Sequence, residues 1–222
     1  MNSLKEVYFT TENISAVAEE MLQDLAATNK RRRVLSAPEH SALLVLDMQD
    51  YFLDPASHAF VPSAPSIIPN IKKLIRCFSS LGKPIIFNQH INTEANAKMM
   101  SSWWKDLITE KHPLCRISKE LDTSTGRLIQ KSQYDAFIGT ELEELLVGRG
   151  VTQVVISGVM THLCCESTAR SAFMRGFGVL FTVDGTATYN RNFHLASLLN
   201  LSHGFAKPIL TREILEWMGC GG

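Results

Sequence analysis

The chain has 222 residues, enough for one α/β domain around a single core and too few for two full ones. Hydrophobic residues make up 45% and charged residues 20%, which excludes low-complexity disorder and collagen-like or coiled-coil fibres for the bulk of the chain. Lys+Arg number 22 and Asp+Glu 22, so no global field exists to hold a nucleic-acid backbone or an anionic membrane, and neither is an expected partner. The run Lys30-Arg31-Arg32-Arg33 is the local exception and reads as a solvated linker.

The start, MNSLKEVYFTTENISAVAEE, is polar and acidic and lacks the apolar core of a signal peptide. No apolar run approaches the ~20 residues that span a bilayer. The cysteines are Cys77, Cys115, Cys164, Cys165 and Cys220, an odd number without a Cys-x-x-Cys pair, which argues against a zinc ribbon. The expectation is a soluble cytoplasmic protein with free thiols.

Residues 1–40 read as a helical extension ahead of a domain spanning 41–222. Ile14, Val17, Met21 and Leu25 recur at helical spacing, predicting an amphipathic helix over Ile14–Ala27, and Pro38 ends the extension. Ala42–Leu46 is an apolar run bounded by Asp47, as expected of a strand buried on both faces. Ile67, Ile71, Leu74, Ile75 and Phe78 predict a helix over Ser66–Leu81, with Gly82 just past its end. Pro84–Asn88 predicts a second strand, residues 92–125 short helices and loops, and Arg127–Ser132 a third strand. Thr140 with Glu143 fits a capping box for a helix ending near Gly148. Strands at Val151–Val159, Gly178–Val183 and Pro208–Leu210 then alternate with helices at Thr161–Gly176, Asn192–Ala206 and Thr211–Met218. Such alternation predicts an α/β fold: a mainly parallel sheet of five or six strands with helices on both faces.

In such a sheet ligands lie outside the carboxyl ends of the strands. The predicted ends deliver Asp47, Met48 and Gln49; Asn88, Gln89 and His90; Lys131; Gly158 through Cys165; and Asp184. A carboxylate, an ammonium and a thiol at one edge form a chemical set. Thr161 is placed to cap a helix that carries Cys164 in its first turn, where the helix N-terminus and Lys131 would lower the thiol pKa. Asp47 is the candidate proton acceptor, since a carboxylate beside an ammonium stays ionised.

Three segments carry a family resemblance: ALLVLDMQDYF at 42–52, KSQYDAF at 131–137 and SGVMTHLCCESTARSAF at 157–173. In this order they resemble the isochorismatase-like cysteine hydrolases, which include nicotinamidases and carbamoyl-amide hydrolases. The resemblance spans about residues 41–215. It implies a three-layer α/β/α, Rossmann-like fold with strand order 3-2-1-4-5-6 and a catalytic triad of Asp47, Lys131 and Cys164. It also implies a cis peptide between Val159 and Met160, and an oxyanion hole formed by the backbone N–H groups of Met160 and Cys164. By the same resemblance Gln89, Lys98, Trp104 and Tyr134 are candidate substrate-binding residues, and His162 joins them by its place beside Cys164.

Nicotinamidases of this family hold a metal with an Asp-x-His segment and a further His. No Asp-x-His occurs here, so no metal or other cofactor is expected and nicotinamide is not the favoured substrate; His58 and His90 stand near the right regions without that company. Isochorismatases proper cleave a vinyl ether and have Gly where this chain has Cys164. The expected activity is therefore covalent hydrolysis of a small C–N amide or ureido bond. The alternatives are an isochorismatase-type vinyl-ether hydrolase and an idle member serving as a binding subunit. Cys165 reads as packing, and a homo-oligomer is expected.

Overall fold

The computed structural model describes residues 4–25 and 37–221; the Lys30–Arg33 run and the predicted end of the first helix lie outside them. The apolar runs become six strands: β1 (Ser41–Leu46), β2 (Ile85–His90), β3 (Arg127–Lys131), β4 (Gln153–Val159), β5 (Gly178–Ala187) and β6 (Lys207–Ile209). All pairings are parallel, in the order β3-β2-β1-β4-β5-β6. Every residue of β1, β2 and β4 is buried, because helices cover both faces of these central strands.

The helices are α1 (Ile14–Asp24), α2 (Asp50–Leu53), α3 (Ala64–Ser80), α4 (Met100–Trp103), α5 (Leu142–Gly148), α6 (Glu166–Met174), α7 (Arg191–Gly204) and α8 (Thr211–Trp217). Right-handed crossovers running outward from β1 in one direction and from β4 in the other place α3 and α6 on opposite faces. Helix α3 buries Ile67, Ile71, Leu74 and Phe78 along the stripe that their spacing marks. Helix α1 buries Ile14, Ala18 and Met21. Tyr8 and Phe9, ahead of it, join the same hydrophobic core as the strands.

Four local expectations are corrected. Cys77 on α3 and Cys220 beyond α8 form a disulfide, 143 residues apart in sequence; only Cys115, Cys164 and Cys165 are free, and all three are buried. The pairing arises because α8 packs on α3, a contact no local pattern reveals. Thr140 and Glu143 form no capping box: the Thr140 hydroxyl donates to the Ala136 carbonyl and accepts from Leu142 N, while Glu143 pairs with Arg175. Strand β5 continues past Val183, so Asp184 lies within it. The Asp184 carboxylate accepts from Thr211 N and Oγ1, at 2.8 Å each, and fixes the start of α8. Finally, a π-helical turn, Thr161–Cys165, precedes α6, and the buried Thr161 hydroxyl has no hydrogen-bond partner, so Thr161 does not cap the helix.

Two glycines show how differently a side chain would be received. Gly82, at φ +63° just beyond α3, faces open space, whereas Gly158, at φ +110° in β4, would place a Cβ 2.0 Å from the Leu46 carbonyl oxygen. Gly158→Ala is expected to cost about 3 kcal/mol or more, through backbone strain and overlap together. Gly82→Ala should cost about 1 kcal/mol. Urea unfolding compares the two; equal midpoints would contradict the difference.

Candidate active site

Asp47 follows β1 in the left-handed region, at φ +50°. Its N–H is held by the Asn88 carbonyl at 2.9 Å and its own carbonyl accepts from Gln49 N at 2.7 Å, which fixes this turn at the sheet edge. Lys131 ends β3, two strands away, and Cys164 lies in the π-turn after β4. These three side chains meet. Lys131 Nζ is 2.7 Å from Asp47 Oδ2 and 3.4 Å from Cys164 Sγ. Both side chains of the ion pair are fully buried, so their attraction acts with little water between them.

The ammonium has more acceptors than protons. Besides Asp47 and Cys164, Nζ lies 3.0 Å from the Gln133 carbonyl and 3.4 Å from His90 Nδ1. A lysine donates three hydrogen bonds, and Nζ directs them at Gln133, His90 and Cys164, while its contact with Asp47 is a close ion pair outside hydrogen-bond geometry. His90 is in line with Lys131 across the β2–β3 pairing, and its Nε2–H donates to Asn92 Oδ1 at 2.8 Å. That arrangement sets the neutral tautomer with Nδ1 facing the ammonium.

Titration follows from this crowding. Burial opposes the Lys131 ammonium, but the Asp47 carboxylate and Cys164 hold its pKa up at about 12. Burial and the Lys131 charge push His90 down to about 4. The Cys164 thiol is pushed strongly upward, first by burial and then by the Asp47 carboxylate, and Lys131 offsets only part of this. The expectation of a lowered thiol pKa is therefore corrected: the resting sulfur is a thiol, because the neighbouring carboxylate and the dry surroundings outweigh the ammonium. The peptide between Val159 and Met160 is cis.

Cys164 and Met160 line a pocket with a cavity volume of about 60 Å³. A single water needs about 10–15 Å³ by this measure, so the space suits one small molecule. Aromatic and aliphatic side chains dominate its walls, among them Tyr51, Trp104, Tyr134 and Tyr189. Trp104 Nε1 donates to Tyr134 Oη at 2.8 Å, which locks two of these walls together. At the rim, Tyr51 donates its hydroxyl to Asp106, and His58 Nε2 lies 2.6 Å from the same carboxylate oxygen. Burial works against the Asp106 carboxylate, yet these two partners hold its pKa below the usual carboxylate range.

Of the expected substrate-binding residues, Trp104 and Tyr134 line the pocket, whereas Gln89, Lys98 and His162 do not. Gln89 points to the other face of β2, where its amide donates to the Cys115 carbonyl. Lys98 is exposed, on a residue with φ +49°. His162 bonds Thr188 Oγ1 at 2.6 Å and stacks on Phe193. Sequence reasoning gave no place in the pocket to Tyr51, Tyr189 or Asp106; it set His90 at the sheet edge and weighed His58 and His90 against metal ligation without assigning either a role. Tyr51 had a detectable signal, lying one helical turn beyond Asp47 in the DMQDYF segment; Asp106 had none.

Among the described residues no three His, Cys, Asp or Glu side chains converge as a metal site. The donors present are already engaged: His90 with Lys131 and Asn92, and His58 with Asp106. These residues do not fit the metal set that the resemblance brings to mind.

A thiol beside a buried carboxylate–ammonium pair, at the carboxyl edge of a doubly wound parallel sheet, places this protein among the α/β enzymes whose sites sit at that edge. The isochorismatase domain model matches residues 41–213, so the chain belongs to the isochorismatase family of hydrolases. It is 37% identical over 171 residues to "Nicotinamidase 3" of Arabidopsis thaliana, a match covering 75% of this chain and 82% of that protein. It is 28% identical over 181 residues to "Enterobactin synthase component B" of Escherichia coli K12, covering 80% of this chain and 63% of that one. A crystal structure described as a cysteine hydrolase from Pseudomonas syringae pv. phaseolicola shares the fold, with a TM-score of 0.81 at 21% identity over 87% of this chain and all of that one.

Two expectations about stability follow. Lys131→Met leaves the Asp47 carboxylate buried and unpaired and should cost about 3–5 kcal/mol in urea unfolding; a change within error would show that the pair is not desolvated. For His90, the ordinary imidazole pKa of 6.5 falls to about 4 on folding. Between these values the unfolded chain binds a proton that the folded chain refuses, so stability is lost as pH falls through that window. The loss from this group is on the order of 3 kcal/mol. Unfolding at pH 7.5 and 4.5 should show a smaller drop for His90→Gln than for the wild type; equal drops would refute the assignment.

Proposed function

We propose that the protein is a metal-independent cysteine hydrolase of small, uncharged carboxamides, acting through a thioester on Cys164. The observation that carries this reading is the contact of the pocket-lining Cys164 thiol with the buried Asp47–Lys131 pair. Because the thiol rests protonated, attack requires a base in place, and Asp47 is the carboxylate beside it. Asp47 takes the Sγ proton as sulfur attacks the amide carbon. Lys131, whose Nζ already donates to Sγ, stabilises the negative charge that develops on sulfur as its proton leaves. The backbone N–H groups of Met160 and Cys164 are assigned to the oxyanion. Asp47 returns the proton to the departing ammonia as the C–N bond breaks. Water, deprotonated by Asp47, attacks the thioester, releasing the carboxylic acid and restoring the thiol.

The pocket's composition supports the choice of substrate. Among the described residues that line it there is no lysine or arginine. Ureido acids and isochorismate would bring carboxylates into apolar walls without a cation to meet them, a costly burial. A neutral aryl carboxamide buries its ring against Trp104, Tyr134 and Tyr189 and needs no counter-charge. The lack of an Asp-x-His segment sets nicotinamide aside on sequence grounds, but the pocket readmits it as a member of this neutral class, as does the similarity to a protein named nicotinamidase.

Ammonia release from benzamide, nicotinamide and a ureido acid, and release of the enol-ether fragment as a keto acid from isochorismate, test the proposal. The neutral carboxamides should be turned over, and Cys164→Ala should lower kcat by about a thousandfold or more. Turnover surviving that substitution, or product formed only from isochorismate, would overturn it. EDTA treatment should leave the rate unchanged. Asp47→Asn should abolish turnover and yet speed alkylation of Cys164 at neutral pH, since it removes the negative charge that keeps the proton on sulfur. Slower alkylation in that variant would show that the Asp47 charge is not what keeps the proton on sulfur.

A further inference from the structure

The matched family domain begins at residue 41, yet residues 4–9 run against the segments that carry two walls of the pocket. We infer that this N-terminal arm is part of the specificity apparatus, with Lys5 and Glu6 as positioning residues that set Tyr189 and His58 against a bound aryl carboxamide. The inference rests on the function proposed above for its choice of ligand, but the geometry stands independently.

Lys5 touches both walls at once. Its Nζ donates to the His58 carbonyl at 2.5 Å and sits 4.5 Å from the centre of the Tyr189 ring. His58 and Tyr189 both line the pocket but belong to segments about 130 residues apart in the chain. Glu6 fixes the backbone leaving Tyr189: its N–H donates to the Tyr189 carbonyl at 2.8 Å, and its carboxylate accepts from Arg191 N at 2.6 Å. Two residues on, the Tyr8 hydroxyl accepts from Thr188 N at 2.9 Å. The Thr186 hydroxyl donates to the Thr182 carbonyl and so accepts from His194 Nε2–H, which leaves Nδ1 to accept from the Tyr8 hydroxyl at 2.9 Å; burial pushes the His194 pKa down to about 3, which keeps that ring neutral. On the opposite side, Tyr8 N and Phe9 N share the Ser63 hydroxyl as acceptor, at 3.0 and 3.1 Å. The arm is thereby tied to the 188–191 segment and to the 58–66 segment together.

The anchor of the arm also lies outside the matched domain. Helix α1 is held by its buried face and by ion pairs from Arg191 to Glu20 and from Arg212 to Glu19, at 3.1 and 2.5 Å. A wall held by one ammonium and one carboxylate on a separate segment can be adjusted by substitution in that segment without touching Asp47, Lys131 or Cys164.

Lys5→Ala and Glu6→Ala test this, each compared with wild type and with Lys5→Arg, which keeps the charge and the donors. The first readout needs no turnover. Alkylation of Cys164, located by peptide mapping, is measured at alkaline pH with iodoacetamide and with its N-phenyl analogue. Loosened walls should raise the rate of the aryl reagent relative to the small one by about fivefold, the scale of one lost hydrogen bond, and Lys5→Arg should restore the ratio. The second readout is benzamide or nicotinamide hydrolysis, where KM should rise by a similar factor while kcat moves little. An unchanged reagent ratio in both alanine variants overturns the inference. A wild-type enzyme that releases no ammonia from any carboxamide defeats the hydrolase reading alone, and the reagent ratio then still decides whether the arm shapes the pocket.

Discussion

The buried pair of Asp47 and Lys131 is the constraint around which the site is arranged. Removing two charges from water is costly, and their attraction repays it only when further hydrogen bonds satisfy what remains. Each neighbour of the pair can be understood in this light. The Gln133 carbonyl takes one ammonium proton. His90 is kept neutral first by burial and then by the Lys131 charge beside it, and Asn92 holds its tautomer. The thiol keeps its proton first through burial and then through the Asp47 carboxylate beside it. Burial and the ion pair together therefore hold both titratable neighbours in their neutral forms.

That coupling gives His90 a part that a metal-ligand reading obscures. It is a neutral acceptor that shares the buried ammonium with the Cys164 sulfur, each 3.4 Å from Nζ. The pocket above is built to the opposite rule. It is walled by aromatic rings, and its polar rim of Tyr51, His58 and Asp106 is already mutually satisfied, so it offers shape rather than charge to a ligand.

Much of this was legible in the residues. The strands at 42–46, 85–88 and 153–159 announced themselves as apolar runs, and their alternation with amphipathic helices led directly to a doubly wound sheet. Asp47, Lys131 and Cys164 were found because each follows or ends a strand and each bears a group that chemistry needs. The pocket beside them was not legible in the same way. Gln89 and His90 are neighbours in sequence, and strand alternation sends one to each face, so a one-residue error reverses the conclusion. Lys98 and Asp106 lie in a long loop whose course no periodicity dictates; one turned out to solvent and the other in to the rim. The direction of the thiol's pKa failed for a different reason: counting nearby charges is possible from sequence, whereas the degree of burial that decides between them is not.

The backbone at Asp47 carries one more consequence. With φ at +50°, this residue occupies a conformation that aspartate and asparagine enter more readily than other side chains, because their short polar groups bond locally to the main chain. The position is therefore restricted twice over, once by the carboxylate it presents and once by the turn it must make. An alanine there would alter the path of the chain leaving the central strand as well as the chemistry, confounding geometry with charge. Asparagine preserves the turn and changes the charge alone. The same double restriction narrows what mutational drift can sample here, since most single-residue replacements would disturb the loop that carries Gln49 and Tyr51 before any loss of chemistry was felt.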